Sequence, residues 1–101
     1  MPKYAARVDE NQKAIAQALR QAGASVAECH AVGAGFPDLC VGWQGQTFLI
    51  EVKNPDKPKS KRQLTDAQVR WHNQWCGHVA VVETVREALE AIGIPFRGAI
   101  S

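Results

Sequence analysis

The sequence predicts one α/β domain spanning residues 1–101: a mixed β-sheet flanked by helices, an αβββαβ core with a C-terminal helix. Three observations predict it. Period-2 strand patterning occurs at 47–53 and a short strand at 38–41, with a short apolar run typical of a buried strand at 79–82. Helical periodicity bounded by capping residues occurs at 8–22, 65–77 and 84–92. The two kinds of segment interleave as helix, three strands, helix, strand, helix, the order of a sheet covered by helices. A length of 101 residues fits one domain, and an apolar share of 46% suffices for its core.

After a loose lead-in over residues 1–7, the first helix has Val8, Ile15, Ala18, Leu19 and Ala22 near one face, and Gly23 stops it. Asp9 and Glu10 lie in its first turn, where the helix dipole favours acids. A short strand follows at 25–31, then the loop Val32-Gly33-Ala34-Gly35. Its glycines let the backbone turn into the next strand. Glycine-loop amides can also cradle phosphate, but no helix opens directly behind this one, so it is not a P-loop.

In strand 38–41, Asp38 and Cys40 share one face, with Leu39 and Val41 on the other. In strand 47–53, Phe48, Ile50 and Val52 form an apolar core face, while Thr47, Leu49, Glu51 and Lys53 point the other way. A two-residue turn at Gln44-Gly45 joins the strands, glycine taking the positive φ such turns need. Cross-strand partners then have numbers summing to 89: Val41 faces Phe48, Leu39 faces Ile50, and Asp38 faces Glu51. Directly opposed residues have Cβ atoms roughly 4.5–5.5 Å apart. Two carboxylates that close repel, and a hard divalent cation such as Mg²⁺, an oxygen-seeking ion, relieves the repulsion.

Residues 54–63 form a Pro- and Lys-rich loop in which Lys57, Lys59, Lys61 and Arg62 supply four of the chain's 12 Lys and Arg. Such runs are commonly solvated surface. This one leaves directly from Lys53, which suits it to a phosphate backbone. Thr65 and Gln68 have the spacing of a capping box opening the second helix, which explains Gln68 structurally. That helix carries Trp71, His72, Trp75 and Cys76; with Cys29, His30 and His78 a zinc site is conceivable, but no CxxC or HxxxH pair exists. Thr84 and Glu87 make a second capping box, Gly93 closes the last helix, and Ile94, Phe96 and Ile100 lie in an apolar tail.

The net charge, +2, does not by itself announce nucleic acid. No apolar run approaches a membrane span, and the acidic residues behind the N-terminus exclude a signal peptide. Three scattered cysteines indicate free thiols in a reducing cytoplasm.

Gly35-Phe36-Pro37-Asp38-Leu39 followed by Glu51-Val52-Lys53 resembles the PD-(D/E)XK nuclease signature. The later Leu64-Thr65-Asp66-Ala67-Gln68 resembles the additional glutamine motif of its VRR-NUC branch, and the resemblance runs in order over about residues 10–84. It implies a metal-dependent endodeoxyribonuclease. Mg²⁺ or Mn²⁺ would be held by Asp38, Glu51 and the Val52 carbonyl, with a glutamate from the first helix, Glu10, or Asp9 in its place. Lys53 would stabilise charge developing on the phosphorane or position the nucleophile, with Gln68 near the metal and the attacking water. The resemblance also implies branched DNA, such as four-way junctions or flaps, as substrate, a homodimer, and a phage or bacterial setting. Interface candidates are Ile94, Phe96, Ile100 and the Trp71/Trp75 helix. The rival reading is a DNA-binding or subunit-assembly module of the same fold without catalysis.

Overall fold

Helix α1, Glu10–Gln21, forms because Gln12, Ile15, Ala16 and Leu19 recur on one face, and all four are buried. A Schellman motif ends it: Gly23 takes φ 105°, its N–H donates to the Arg20 carbonyl, and the Ala24 N–H donates to the Leu19 carbonyl. The structure, a computed structural model, describes residues 9–95. The expected first-helix residue Val8 therefore lies outside the described residues, as do Phe96 and Ile100 of the tail.

Strands β1 (Ser25–Glu28), β2 (Leu39–Trp43), β3 (Gln46–Val52) and β4 (Val79–Val82) form one sheet in the order β1-β2-β3-β4. The first two pairings are antiparallel and β3 pairs β4 in parallel, so the sheet is mixed. The β2–β3 hairpin has the anticipated register, with Val41 opposite Phe48 and Leu39 opposite Ile50. Its turn residues Gln44 and Gly45 both adopt positive φ, 49° and 78°, as a type I′ turn requires. β1 is three residues shorter than expected, because after the Cys29 N–H bonds the Asp38 carbonyl the chain turns, Val32 N–H returning to the Cys29 carbonyl.

The parallel crossover from β3 to β4 carries two helices. Residues Lys59–Arg62, expected as loop, form a single turn, α2, behind Pro58; the proline's fixed φ suits a helix start, where its missing N–H is not needed. α3, Asp66–Gln74, begins at the predicted N-cap Thr65 but ends three residues early, because Trp75 turns extended (ψ 130°). α4, Val85–Ala91, is capped by Thr84 and closed by a second Schellman motif at Gly93.

α1 and α4 pack against each other over one sheet face, where Ile15, Leu19, Leu39, Val41, Ile50, Val82, Ala88 and Ile92 make the core. Ile94 packs onto that core rather than standing free. The opposite face of β3 is also covered: Leu49 and Glu51 are both buried, and α3 reaches Glu51 and Lys53 from that side. Among the described residues no helix is long and apolar enough to cross a membrane.

Candidate active site

Asp38 immediately precedes β2, behind the fully buried Pro37. Its Oδ2 accepts a hydrogen bond from the Val52 N–H at 2.8 Å, which ties the start of β2 to the end of β3. The hairpin register sets Asp38 against Glu51, the end of the apolar ladder.

Glu51 is 3% exposed. Its Oε2 accepts from Gln68 Nε2 at 2.9 Å and lies 3.6 Å from Lys53 Nζ. Its Oε1 is buried without a partner. Burial, then the Asp38 charge, push the Glu51 pKa up to about 7, against the opposing pull of Lys53.

Lys53 continues β3, its N–H donating to the Val82 carbonyl and its carbonyl accepting from Asn11 Nδ2 at 2.9 Å. Its ammonium donates to Gln68 Oε1 at 2.9 Å. Gln68 is both a cap and a member of the cluster. Its N–H donates to Thr65 Oγ1 and its Oε1 accepts from the Thr65 N–H, completing the capping box. The same Oε1 takes the Lys53 bond while Nε2 reaches Glu51, so one amide links an ammonium to a carboxylate.

Gly35 lets the start of α3 come this close. It takes φ 84°, and a Cβ there would run into the Ala67 carbonyl group and the Gln68 amide nitrogen. The glycine loop therefore packs directly on the first turn of α3, two residues before Pro37-Asp38.

Of the sequence-predicted residues, Asp38, Glu51, Lys53, Val52 and Gln68 come together, and Glu10 does not. The Glu10 side chain is 91% exposed and pairs with Lys13, while Asp9 is an exposed N-cap without a side-chain bond. α1 contributes Asn11 instead, through the Lys53 carbonyl. His72 is a further neighbour that sequence reasoning weighed only as a zinc ligand. Four residues beyond Gln68, it lies on the same helix face, a spacing that signals shared surroundings. Burial, then the Lys53 charge, hold its pKa below the usual range, and its Nε2 is buried without a partner.

Lys57, Lys59 and Lys61 are exposed. Arg62 is instead half-buried, 3.7 Å from Glu83, and anchors α2 to the end of β4.

The donor set fits a hard divalent cation. Asp38 and Glu51 offer carboxylate oxygens, one of them buried and unpartnered, beside the strand end at Val52. Among the described residues no three His, Cys, Asp or Glu side chains gather as a metal site, and Cys29, Cys40 and Cys76 are free thiols.

No family model and no curated protein sequence matches the chain. Its fold matches a solved structure described as a VRR_NUC domain, with TM-score 0.60 and 23% identity over 80% of this chain and 88% of that one.

Proposed function

We propose that this chain is a VRR-NUC nuclease of the PD-(D/E)XK group, hydrolysing DNA phosphodiester bonds with Mg²⁺ or Mn²⁺. The observation that carries the reading is the Glu51 side chain: a buried carboxylate with one unpartnered oxygen beside Asp38, hydrogen-bonded to a glutamine that also holds Lys53. A buried acid left half-satisfied is costly unless it serves a ligand.

Asp38, Glu51 and the Val52 carbonyl would hold the cation, which when bound would polarise the scissile phosphate and lower the pKa of a water. Lys53 directs its charge at the phosphoryl oxygens as negative charge develops there. Gln68 fixes the Lys53 ammonium and the Glu51 carboxylate in relation to each other, and the α3 N-terminus adds positive dipole on the same side. Lys57, Lys59 and Lys61 grip the phosphate backbone without reading sequence, with Arg62 anchoring their segment. The protein acts in the cytoplasm as a homodimer on branched DNA, such as four-way junctions or flaps, since two sites suit a two-fold substrate.

The test is cleavage of nicked, flap and four-way-junction DNA with and without Mg²⁺ or Mn²⁺. Lys53→Ala should lower the rate ~10²–10³-fold while leaving the fold and DNA binding nearly unchanged. Near-normal cleavage by this variant would sink the assignment of Lys53. Metal-independent binding with no cleavage of any substrate by the wild type would favour a non-catalytic DNA-binding module.

A further inference from the structure

A second cleft lies beside the cluster, on the outer flank of α3. Ala34, Ala67, Arg70, Trp71 and Gln74 line it, and its volume is ≈ 340 Å³. Two of these residues adjoin the candidate active site along the chain: Ala67 precedes Gln68, and Ala34 precedes Gly35 in the loop that leads to Asp38. The Gly35 contact with Ala67 and Gln68 fixes the two walls against each other.

The lining has a definite chemistry. Trp71 supplies an aromatic lining and is held by neighbouring rings, in a T-shaped contact with Phe36 at 5.3 Å and stacked on Trp75 at 4.8 Å. A ring braced in this way loses little freedom when a ligand packs on it. Ala34 and Ala67 keep the walls low, leaving space a larger side chain would fill. Arg70 and Gln74, both exposed, stand at positions four apart on the same helix face, one a cation and the other an amide with both donor and acceptor. A planar aromatic wall, an amide able to pair with a heterocycle edge and a guanidinium for the attached phosphate together match a nucleotide.

We infer that this cleft receives an unpaired nucleobase of the DNA strand bound at the active site. The inference rests on the nuclease reading for its position, but its chemistry is separate: the cleft selects DNA with a base out of the stack, and the carboxylate–lysine cluster acts on the backbone. A continuous duplex presents no free base to the cleft, so the pocket favours flaps, bulges and single-stranded segments over plain duplex.

The experiment compares two duplex oligonucleotides that differ at one position, a single unpaired adenine in one and an abasic residue in the other. Affinity is read by fluorescence anisotropy without divalent metal, and cleavage is read separately with Mg²⁺. The wild type should bind the adenine-bearing probe about fivefold to a hundredfold more tightly, the range for stacking one base on an aromatic side chain. Trp71→Leu, which removes the aromatic wall, should erase most of that preference, and Gln74→Ala, on the helix surface, should weaken it, with the circular dichroism spectrum of each unchanged. Equal affinity of the wild type for the two probes overturns the inference, and this comparison needs no variant. A preference that persists undiminished in both Trp71→Leu and Gln74→Ala overturns the assignment to this cleft. Loss of cleavage on all DNA with the base preference retained would sink the nuclease reading and leave the base site standing. Normal cleavage without any base preference would do the reverse.

Discussion

Glu51 is where sequence, packing and chemistry meet at the scale of one residue. Strand alternation places it on the face away from the main core, yet α3 covers that face and leaves the carboxyl 3% exposed. Burial and Asp38 raise its pKa from 4.5 to about 7, so the folded, metal-free chain holds this proton more tightly than the unfolded chain does. Stability from this group is therefore fully present below its ordinary value and is lost as pH rises from about 4.5 to about 7. Glu51→Gln removes that loss, since an amide needs no proton to stay neutral. In chelator, the urea midpoint of the variant relative to wild type should rise between pH 5 and pH 8. A constant difference between the two proteins would remove Glu51 from the account. Asp38, Glu51 and Lys53 were legible in the sequence because a two-residue turn sets the register and the two-residue period of a strand sets the face. The partner from α1 was not. Acids at a helix start are already explained by the dipole, and nothing local says which of residues 9–12 faces the strand end. The structure turns Glu10 outward and brings Asn11 to the Lys53 carbonyl.

Among the elements, α3 does two jobs with one side chain, and its two halves can be separated. Thr65→Ala removes the cap at a cost of about 1 kcal/mol in stability but leaves the Gln68 bonds to Glu51 and Lys53 in place. Gln68→Ala deletes those bonds to charged partners, and cleavage should fall about tenfold to a hundredfold, the equivalent of a charge-assisted hydrogen bond. Steady-state rates and thermal melts of both variants check this. Equal rate losses at similar stability would reduce Gln68 to a helix cap. The capping box itself was legible because it is four residues of local sequence. The direction it faces was not, because that depends on Gly35 packing against Ala67 across the fold, a contact no local pattern announces. α2 escaped detection for a related reason: a single turn of Lys-Ser-Lys-Arg has no apolar stripe, and the Arg62–Glu83 pair that fixes its end is long-range.

The arrangement of charge and apolar surface belongs to the whole molecule. A net charge of +2 hides a local excess at Lys57, Lys59 and Lys61, which follows the strand carrying Glu51 and Lys53. Replacing those three lysines by glutamine should reduce the slope of log affinity against log salt by ~0.9 for each duplex phosphate no longer neutralised. An unchanged slope would leave them as a solvated face. Assembly is the remaining property at this scale. Ile94, an interface candidate by sequence, is used within the chain's own core. What stays exposed is Val32 in the glycine loop, Val69 from α3, Trp75 at its C-cap, and Val81 from β4, which alternates with the core residue Val82. β4 is also an edge strand, with one row of backbone groups unpaired by any other strand among the described residues. Apolar side chains beside an open edge favour a two-fold contact in which the same patch meets itself, burying an aromatic anchor. Light scattering at micromolar concentration should give twice the chain mass of 11.0 kDa, and Val81→Lys should return it to 11.0 kDa without loss of the fold. A wild-type mass of 11.0 kDa, unchanged when junction DNA is added, would instead leave a monomer that nicks one strand at a time.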